Sequence, residues 1–580
     1  MPTATATGAT VEIDGQALEP AVAARVAEVL VEQDVRLPAS FEIRFTDQDR
    51  TAITDVPVKI ASKVKITGAS VDGTPAPVLS GEVTAIEAEY AQAGSVLVIR
   101  GYDLAHRLHR GRKTKVYTQV MYSDVAQQVA SDAGLDVGAI DTTGTVKDHV
   151  PQVAQSDWEF LSQLAAEIDY ELSVVDGALN FHAPVQASSA PSLGTYGSKV
   201  PLQLIFGEDL LEFRPRITAA GAVDTVEVRS WDGLNKQVLV GTAQTAASSA
   251  SLADDPQELS GLFGSAKLVS VEPRAVDQDS ADKRAARIAQ QIGTAFAEAT
   301  GTARGNPEIQ AGRAISVSVV GDPFVGSYTL SHTRHVFDRH GYRTHMVAAG
   351  RQDRSLLGLV RGAVSVPGGP TAGGSPLGGA LAGVVIGVVT DVDDPRKLGR
   401  VKVQFPWLAD DYVSDWARVT MPGAGPSRGL VWLPEVGDEV LVAFEHGDAR
   451  RPIVLGGFWN GNDTAPPFGV PNGQPNARAL VSLKGHKIVL HDNDDGSIEL
   501  TSGKGLSVVL DDVNNQITVT AGSGAKLAIS ADGDISISSQ GKVEIKAGTS
   551  MSISGSTGLE LSSDATATLK GQMVQLNPPG

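Results

Sequence analysis

The sequence predicts a mainly β protein with an α+β N-terminal region, small β-barrels and a C-terminal β-helix. Three observations predict this fold class. The chain has 62 glycines in 580 residues, above the usual share of about 7%, and aromatic residues make up only 5%. Most apolar runs are short and end at turn residues, as is typical of strands. Residues 479–580 repeat one short pattern of alternating apolar and polar residues.

The N-terminal region, residues 1–361, mixes strand and helix patterns. Alternation of apolar and polar residues predicts strands at Phe41–Asp47, Val96–Asp103 and Asp224–Asp232. Helical patterns lie between such segments and are not regularly interleaved with them. Because strands, then single helices, then strands follow each other, the order favours an α+β arrangement over βαβ units.

Three segments of this region have helical periodicity. They are Tyr122–Ala133, Ser156–Ile168 and Ser280–Ala299. In the second helix, Ser156 at the N-cap and Glu159 three residues later predict a capping box. One face of that helix is predicted to be apolar, and it carries Trp158, Leu161, Leu164, Ala165 and Ile168.

Two stretches rich in turn-forming residues divide the chain. Residues 362–383 contain mainly Gly, Pro, Ala and Ser and no charge, which predicts a flexible or extended linker. Residues 460–477 contain four prolines and two Asn-Gly steps, which predict an irregular connector at residues 461–478. Between them, residues 384–460 hold about five short apolar runs separated by turn residues. Five strands in roughly 75 residues are typical of a small closed barrel of the OB type.

Residues 479–580 form a tandem repeat of short strands. Apolar residues recur in pairs with one residue between them, so both members of a pair lie on one face of a strand. Successive pairs are 10, 10, 9 and 10 residues apart, and then 8 residues apart from Leu527 onward. The predicted core residues are Ile488, Leu490, Ile498, Leu500, Val508, Leu510, Ile517, Val519, Leu527, Ile529, Ile535, Ile537, Val543, Ile545, Met551, Ile553, Leu559, Leu561 and Leu569.

The spacing of these repeats leaves two ways of closing the β-helix. A strand of this length covers about 17–20 Å, so one repeat forms one face of a prism. One chain could supply all three faces of each turn, as in a β-solenoid. Alternatively, three chains could intertwine and each supply one face per layer. Periodicity alone leaves both arrangements open, with the three-chain form favoured.

Composition and charge exclude several classes of protein. The absence of cysteine excludes disulfide scaffolds, zinc–thiolate sites and iron–sulfur clusters. A net charge of −19 argues against a nucleic-acid partner, which would need a basic surface. The N-terminus lacks the pattern of a secretory signal, and the most apolar stretch, Leu381–Val389, is too short to span a bilayer. We therefore expect synthesis in a bacterial cytoplasm without a signal peptide.

Two polar clusters are candidates for metal binding or catalysis. Four histidines, His332, His335, His340 and His345, lie within fourteen residues. A hairpin would place His332 and His335 on opposite faces, so we expect a structural hairpin and no metal site. Acidic residues 391, 393 and 394 lie in an Asp- and Pro-rich segment, where they favour a turn over a catalytic carboxylate pair.

Two further segments also favour a structural interpretation. Residues 491–496, HDNDDG, lack the glycine offset and the final Glu of a calcium loop, so a turn between strands is expected. The basic run Arg107–Lys115 is short and is predicted to be a solvated or interface surface. No common catalytic motif occurs in the chain. We therefore expect no catalytic residue, no metal and no cofactor.

Segments in three regions of the chain together resemble a known family. Residues 398–425 and 429–461, which include GRVKVQFPW, PEVGDEVLVAF and GDARRPIVLG, closely resemble the OB-fold domain of VgrG proteins and phage baseplate spikes. Residues 99–114, residues 155–172 and the strand pair around His335 resemble the late-control D, or tail-hub, domain of phages. Residues 482–500 resemble the start of the VgrG needle. The resemblance covers nearly the whole chain.

The resemblance implies a trimeric hub–spike of a contractile injection system. Residues 1–361 would form a hub of two barrel-like units plus helices, which joins the inner tube and baseplate proteins. Residues 384–460 would form the OB-fold neck, and residues 479–580 a needle that is a triple-stranded β-helix. A PAAR-type protein would cap the needle, and firing would push it through a target cell membrane and help to deliver effectors.

The end of the needle and the features absent from the chain sharpen this expectation. The apolar pair Val574 and Leu576 is displaced by one residue from the octad position, so Val574, Leu576 and Asn577 are predicted to contact the tip protein. No lysozyme domain or long C-terminal effector is present, which favours a minimal spike closest to those of released phage-like particles. A type VI secretion spike and a phage tail spike remain open. The competing hypotheses are a muramidase-type spike enzyme and a monomeric carbohydrate-binding stalk.

Overall fold

The computed structural model describes residues 8–70, 73–92, 94–232, 235–246, 249–271, 275, 277–349, 383–468, 475–492, 494, 496–513, 516–521 and 537–575. The chain divides into two compact units, residues 1–460 and residues 461–580. The predicted linker, residues 362–383, lies almost entirely outside the described residues.

The first unit begins with seven strands and three short helices. The strands are β1 Thr10–Ile13, β2 Gln16–Ala17, β3 Val26–Asp34, β4 Leu37–Thr46, β5 Lys63–Ala69, β6 Pro75–Ala91 and β7 Gly94–Tyr102. The helices are α1 Pro20–Ala23, α2 Ala52–Asp55 and a 3-10 helix at Leu104–His109. The strands predicted at Phe41–Asp47 and Val96–Asp103 are confirmed within β4 and β7.

A small α+β part follows, with two antiparallel strands, two helices and a three-stranded sheet. Its elements are β8 Lys113–Val120, α3 Tyr122–Asp132, β9 Asp136–Ile140, β10 Lys147–Gln155, α4 Asp157–Ile168, β11 Glu171–Val175, β12 Ala178–His182 and a 3-10 helix at Ala187–Ser189. The side-chain oxygen of Ser156 accepts from the Glu159 N–H, and the Glu159 carboxylate accepts from the Ser156 N–H. The predicted capping box is therefore confirmed, and Trp158, Leu161, Leu164 and Ala165 are buried as expected.

The chain then forms the second half of the N-terminal region. Its elements are β13 Gln203–Ile205, β14 Leu210–Ile217, β15 Thr225–Asp232, β16 Gln237–Gln244, β17 Ala250–Ser251, α5 Pro256–Gly261, β18 Lys267–Val271, α6 Gln278–Gly293, β19 Ala297–Arg304, β20 Ala314–Ser318, β21 Gly326–Thr329, β22 His332–Asp338 and β23 Gly341–Ala348. The strand predicted at Asp224–Asp232 is confirmed as β15.

The helix predicted at Ser280–Ala299 was placed too far toward the C-terminus. Helix α6 ends at Gly293, and Ala297–Ala299 belong to β19, where they pair with Ile217–Pro215 of β14. A Cβ on Gly293 would lie 2.2 Å from the carbonyl oxygen of Ala246, so the helix end packs directly on backbone. Pairing with β14 therefore gives Ala297 and Ala299 a strand conformation, although alanine prefers a helix.

One eleven-stranded sheet joins the two halves of this region. Its order is β14-β19-β23-β22-β3-β4-β7-β6-β5-β1-β2, and β22 pairs antiparallel with β3. One apolar core surrounds β1 and β3–β7, with Ile43, Ile66 and Phe45 fully buried, and a separate core surrounds β19–β21, with Ile315 and Tyr328. That the hub consists of two barrel-like units stays a prediction. The two apolar cores of this region share one continuous sheet.

Residues 383–460 form a small closed barrel. Its strands are β24 Val384–Asp391, β25 Lys402–Gln404, β26 Arg418–Val419, β27 Glu439–Phe444 and β28 Pro452–Gly457, with a 3-10 helix at Glu445–Gly447. The strand order is β25-β24-β27-β28-β26. The edges meet because the Val401 and Ala417 amides each donate to the other residue's carbonyl, at 3.0 and 2.7 Å. Phe405 and Tyr412 fill the interior, so the predicted five-stranded barrel is confirmed.

The second unit is a five-stranded antiparallel sheet followed by a segment without strands. The strands are β29 Ala477–Val481, β30 Lys487–His491, β31 Ser497–Thr501, β32 Ser507–Asp511 and β33 Gln516–Thr520. Each strand pairs with the next one along the chain. A three-sided solenoid would pair each strand with the third one after it, so this part of the chain is not a solenoid coil. Residues 537–575 contain neither helix nor strand. Among the described residues of both units, no helix could span a membrane.

Candidate functional site

The apolar pairs of the second unit form two columns on one face of its sheet. The antiparallel register places the first member of each pair opposite the second member of the next pair, so apolar residues lie opposite apolar residues across the strands. One column contains Leu480, Ile488, Leu500, Val508 and Val519. The other contains Leu490, Ile498, Leu510 and Ile517. The sheet therefore gathers all described core candidates of this segment on a single face.

None of the described residues forms a layer over this apolar face. Its nine side chains are between 36% and 71% exposed. The opposite face is mainly polar, although it also carries the buried Val489: Glu499 lies opposite Val489 in the ladder, and its carboxylate is 3.1 Å from the Lys487 ammonium and 3.5 Å from the His491 ring. Contiguous exposed apolar surface of this kind marks an interaction site. The face is therefore the strongest candidate site of the chain.

The later repeats are exposed as well. Eight predicted core residues here are 47% to 74% exposed, namely Ile537, Val543, Ile545, Met551, Ile553, Leu559, Leu561 and Leu569. Leu527, Ile529 and Ile535 lie outside the described residues. At the predicted tip contact, Val574 is exposed, while Leu576 and Asn577 also lie outside the described residues.

A second contact region joins the barrel to the α+β part of the first unit. Val153 of β10 belongs to the apolar core of the barrel, and Val116 of β8 packs against it. The His149 ring lies edge-on to the Tyr412 ring, and its Nε2 is 3.2 Å from the carbonyl oxygen of Val413. The barrel therefore rests on the β8–β10 pair, more than two hundred residues earlier in the sequence.

Beside this contact lies a buried ion cluster that the sequence analysis missed. The Arg450 guanidinium donates to Asp448, at 2.9 Å for the shortest bond, and to Glu167 of α4 at 3.1 Å. The Tyr122 hydroxyl of α3 donates to the same Glu167 oxygen at 2.6 Å. Burial opposes ionisation of Glu167, but Arg450 and the Tyr122 hydrogen bond together lower its pKa. No local sequence pattern predicts this cluster, because Glu167 and Arg450 are 283 residues apart in the sequence.

The predicted histidine hairpin is formed by β22 and β23. His335 is fully buried, and its Nδ1 is 2.8 Å from the Tyr342 hydroxyl. His332 lies near Asp34, and His345 contacts Thr302 across the ladder, so the histidines face different neighbours. Within the ranges that the structure describes, no three His, Asp or Glu side chains come close enough to hold a metal ion.

The acidic turn and the basic run both have structural partners. Asp394 is buried and accepts from the Arg400 guanidinium at 2.7 Å and from backbone N–H groups of the turn, and the Arg400 bonds hold its pKa well below the usual range. In the basic run, each of four cations lies beside a carboxylate. These pairs are Arg107–Glu82, Arg112–Glu159, Lys113–Asp157 and Lys115–Asp132. The pairing favours the structural interpretation of both segments.

Comparison with known proteins assigns the N-terminal region to a family. The model of the Alg8 N-terminal domain matches residues 3–338, which is more than half of the chain. The chain belongs to this family. A second model, the type VI secretion system/phage-baseplate injector OB domain, matches residues 385–459 of this Alg8 family member. The match confirms the OB-type fold of the closed barrel.

Curated relatives of the Alg8 family member include VgrG spike proteins. The type VI secretion system spike protein VgrG1a of Pseudomonas aeruginosa is 33% identical over 129 residues, 22% of this chain and 20% of the relative. VgrG3 of Vibrio cholerae is 36% identical over 92 residues, 15% of this chain and 9% of the relative. The chain thus spans a fifth or less of the length of these two relatives. The predicted similarity to VgrG is confirmed over these segments.

A solved structure extends the likeness to most of the fold. A chain of the lidded PdpA–VgrG complex of Francisella superposes with a TM-score of 0.50 over 88% of this chain and 79% of that chain, at 10% identity. At this identity the likeness shows the fold alone. It confirms the mainly β architecture with an α+β N-terminal region.

Proposed function

We propose that this Alg8 family member is the subunit of a homotrimeric hub–spike at the tip of the inner tube of a contractile injection system. Residues 1–361 would be the hub, residues 384–460 the OB-fold neck and residues 479–580 the needle. The match of residues 385–459 to the injector OB domain model and the similarity to VgrG spike proteins support the general role. The two exposed apolar columns of the C-terminal sheet support the trimer.

The apolar columns require a partner of matching chemistry. Burial of a Leu, Ile or Val side chain contributes about 1.5–3 kcal/mol, so covering nine half-exposed side chains would contribute on the order of 10 kcal/mol per chain. Three copies of the same face, arranged around a threefold axis, would cover one another and leave the polar faces in water. The triple-stranded β-helix would therefore begin as three antiparallel sheets, one from each chain.

The strand-free segment supports the same assembly. Extended chain needs hydrogen-bond partners for its N–H and C=O groups once it is buried. Residues 537–575 form no strand within the chain, yet their apolar pairs recur every eight residues. Strands from two other chains would supply both the ladders and the apolar interior. Hydrogen bonds shared between chains at every layer would give the needle the stiffness that membrane puncture requires.

Mass measurement tests the trimer directly. We expect light scattering to give three times the chain mass of 60.3 kDa. Ile517→Asp and Thr518→Asp are a matched pair on β33, because both side chains are exposed in the single chain but only Ile517 lies in an apolar column. In a trimer, Ile517→Asp lowers the melting temperature of the assembly and Thr518→Asp does not. A mass of one chain, or equal effects of the two variants, contradicts the proposal.

The end of the needle would receive a PAAR-type tip protein. The proposed contacts are Val574, Leu576 and Asn577, of which Val574 is exposed in the single chain. Deletion of residues 573–580 should abolish co-purification of the tip protein and leave the mass of the assembly at three chains. Retention of the tip protein by the deleted chain would show that these residues are not the contact.

The role that we propose is mechanical, without catalysis. The VgrG1a and VgrG3 segments that match are parts of spike proteins. A 77-residue match to the actin cross-linking toxin VgrG1 covers only 7% of that relative. Zymography on peptidoglycan should show no clearing by the purified chain. Clearing that persists after repurification would support the muramidase alternative instead.

A further inference from the structure

The buried cluster of Arg450, Asp448, Glu167 and Tyr122 connects two parts of the first unit that are distant in sequence. Asp448 and Arg450 follow β27 of the barrel, whereas Tyr122 and Glu167 belong to α3 and α4. Arg450 makes three guanidinium contacts with Asp448, and its bond to Glu167 crosses the junction. The barrel thus supplies the Arg450 cation, which the Asp448 carboxylate of the barrel already orients.

The cluster is shielded from water, and this raises the cost of breaking it. The side chains of Asp448 and Glu167 are 7% and 14% exposed. Burial opposes the charge on Arg450, but Glu167 and Asp448 outweigh it and raise its pKa well above the usual value, so the guanidinium stays charged. Removing one partner of a buried pair leaves an uncompensated charge and is strongly destabilising, by more than the pair itself contributes. The junction is therefore sensitive to any change that separates Arg450 from Glu167.

The rest of the junction is incompletely filled. A cavity of about 840 Å³ lies beside the cluster, between α4 and α6 on one side and the barrel on the other. Its wall includes Lys283, Asp279, Arg400 and Trp416, and Glu167 and Arg450 lie at its edge. Among the described residues, the apolar side chains outside the barrel that pack on its core are Val116 and Val153 of the β8–β10 pair. The apolar contact with the β8–β10 pair and the ion cluster therefore both hold the barrel in place. Of these two, the ion cluster fixes the orientation of the barrel, because its hydrogen bonds are directional.

We propose that Arg450, held by Asp448, acts as a lock that fixes the barrel to α3 and α4 independently of the covalent connection through residues 362–383. Glu167 accepts the hydrogen bond from Arg450, and the Tyr122 hydroxyl positions the Glu167 carboxylate. The lock orients the barrel whether or not the chain forms a trimer. Its mechanical consequence rests on the proposed function: thrust on the barrel would pass through α4 into the N-terminal region without relying on the connecting segment.

The test separates the lock from the covalent connection. A protease site is inserted into residues 362–383 of the full chain, the protein is cut, and retention of the N-terminal fragment on an affinity tag at the C-terminus is measured. With the natural cluster, we expect the fragments to stay together. Glu167→Gln keeps the side-chain shape and removes the charge, and it should weaken association of the cut fragments at least a hundredfold. Arg428→Met, on an exposed barrel arginine, is the control and should behave like the parent.

Two further variants keep the test decisive if Glu167→Gln disturbs folding. Tyr122→Phe removes only the hydroxyl that donates to Glu167, and it should weaken association by a smaller factor, about tenfold. In the background of Arg450→Met, Glu167→Gln should have little additional effect, because its partner is already gone. Separation of the parent fragments on cutting, or equal retention of parent and Glu167→Gln fragments, overturns the lock. The mass of the uncut protein reports separately on the trimer.

Discussion

The buried His335 predicts a pH dependence of the sheet that joins the two halves of the N-terminal region. His335 lies on β22, is fully buried, and has the Tyr342 hydroxyl 2.8 Å from its Nδ1. Burial lowers its pKa to about 3. In the unfolded chain, the imidazole takes up a proton near pH 6.5. Below that pH, the unfolded state binds a proton that the folded state does not, so the stability falls as the pH falls.

The magnitude follows from this difference in proton binding. Stability should fall by about 1.4 kcal/mol for each pH unit below 6.5, and the loss should level off near pH 3. Between pH 7.5 and pH 5.5, His335 should therefore remove about 1.4 kcal/mol. Hydrogen exchange of the β22 and β23 amides, corrected for intrinsic exchange rates, gives the free energy of opening at each pH.

Two variants isolate the contribution of this imidazole. His335→Gln keeps a polar group near Tyr342 but cannot titrate, so the wild-type loss between pH 7.5 and 5.5 should shrink by about 1.4 kcal/mol. Val336→Ala shortens a buried neighbour without removing a titrating group, and should lower stability equally at both pH values. The same pH dependence in the wild type and in His335→Gln would refute the reasoning.

Three other substitutions test local features of the fold. Ser156→Ala removes the N-cap acceptor of α4 and should lower the opening free energy of its first-turn amides by about 1 kcal/mol in hydrogen exchange, whereas Ser156→Thr should lower it less. Gly241→Ala would place a Cβ 2.2 Å from the Ala281 carbonyl oxygen, so α6 must shift and stability should fall by about 1–3 kcal/mol; an unchanged denaturant midpoint would contradict this contact. Asp394→Asn should destabilise the barrel by about 1.5–3 kcal/mol in thermal unfolding, while the exposed Asp393→Asn should change it by less than about 0.5 kcal/mol.

Local patterns predicted the elements whose partners are close in sequence. The capping box at Ser156 needs only residues three positions apart, and α4 begins where the pattern placed it. The apolar pairs of β30–β33 share one face because each strand pairs with the next one. The helix predicted to reach Ala299 failed for the opposite reason, since β14, about eighty residues earlier, pairs with Ala297–Ala299.

The candidate sites divide in the same way. Apart from Leu480, the residues of the apolar columns were predicted one by one, because alternation along a strand determines which side chains share a face. The ion cluster at Arg450 was not predicted, because an arginine in a turn has the same local pattern whether its partner is water or a buried carboxylate. Only the packing of α4 against the barrel brings Glu167 within 3.1 Å of it.

By itself, the sequence determined the mainly β class, the OB-type barrel, the starts of α3 and α4 and the apolar face of the C-terminal repeats. These features depend on periodicity, turn residues and caps, which act over a few neighbouring positions. The tertiary structure alone decided that β3 and β22 join in one eleven-stranded sheet and that the barrel rests on β8 and β10. It also decided that Arg450 meets Glu167. Such contacts depend on which distant surfaces bury each other most favourably, and this free energy is not encoded in any single stretch of the chain.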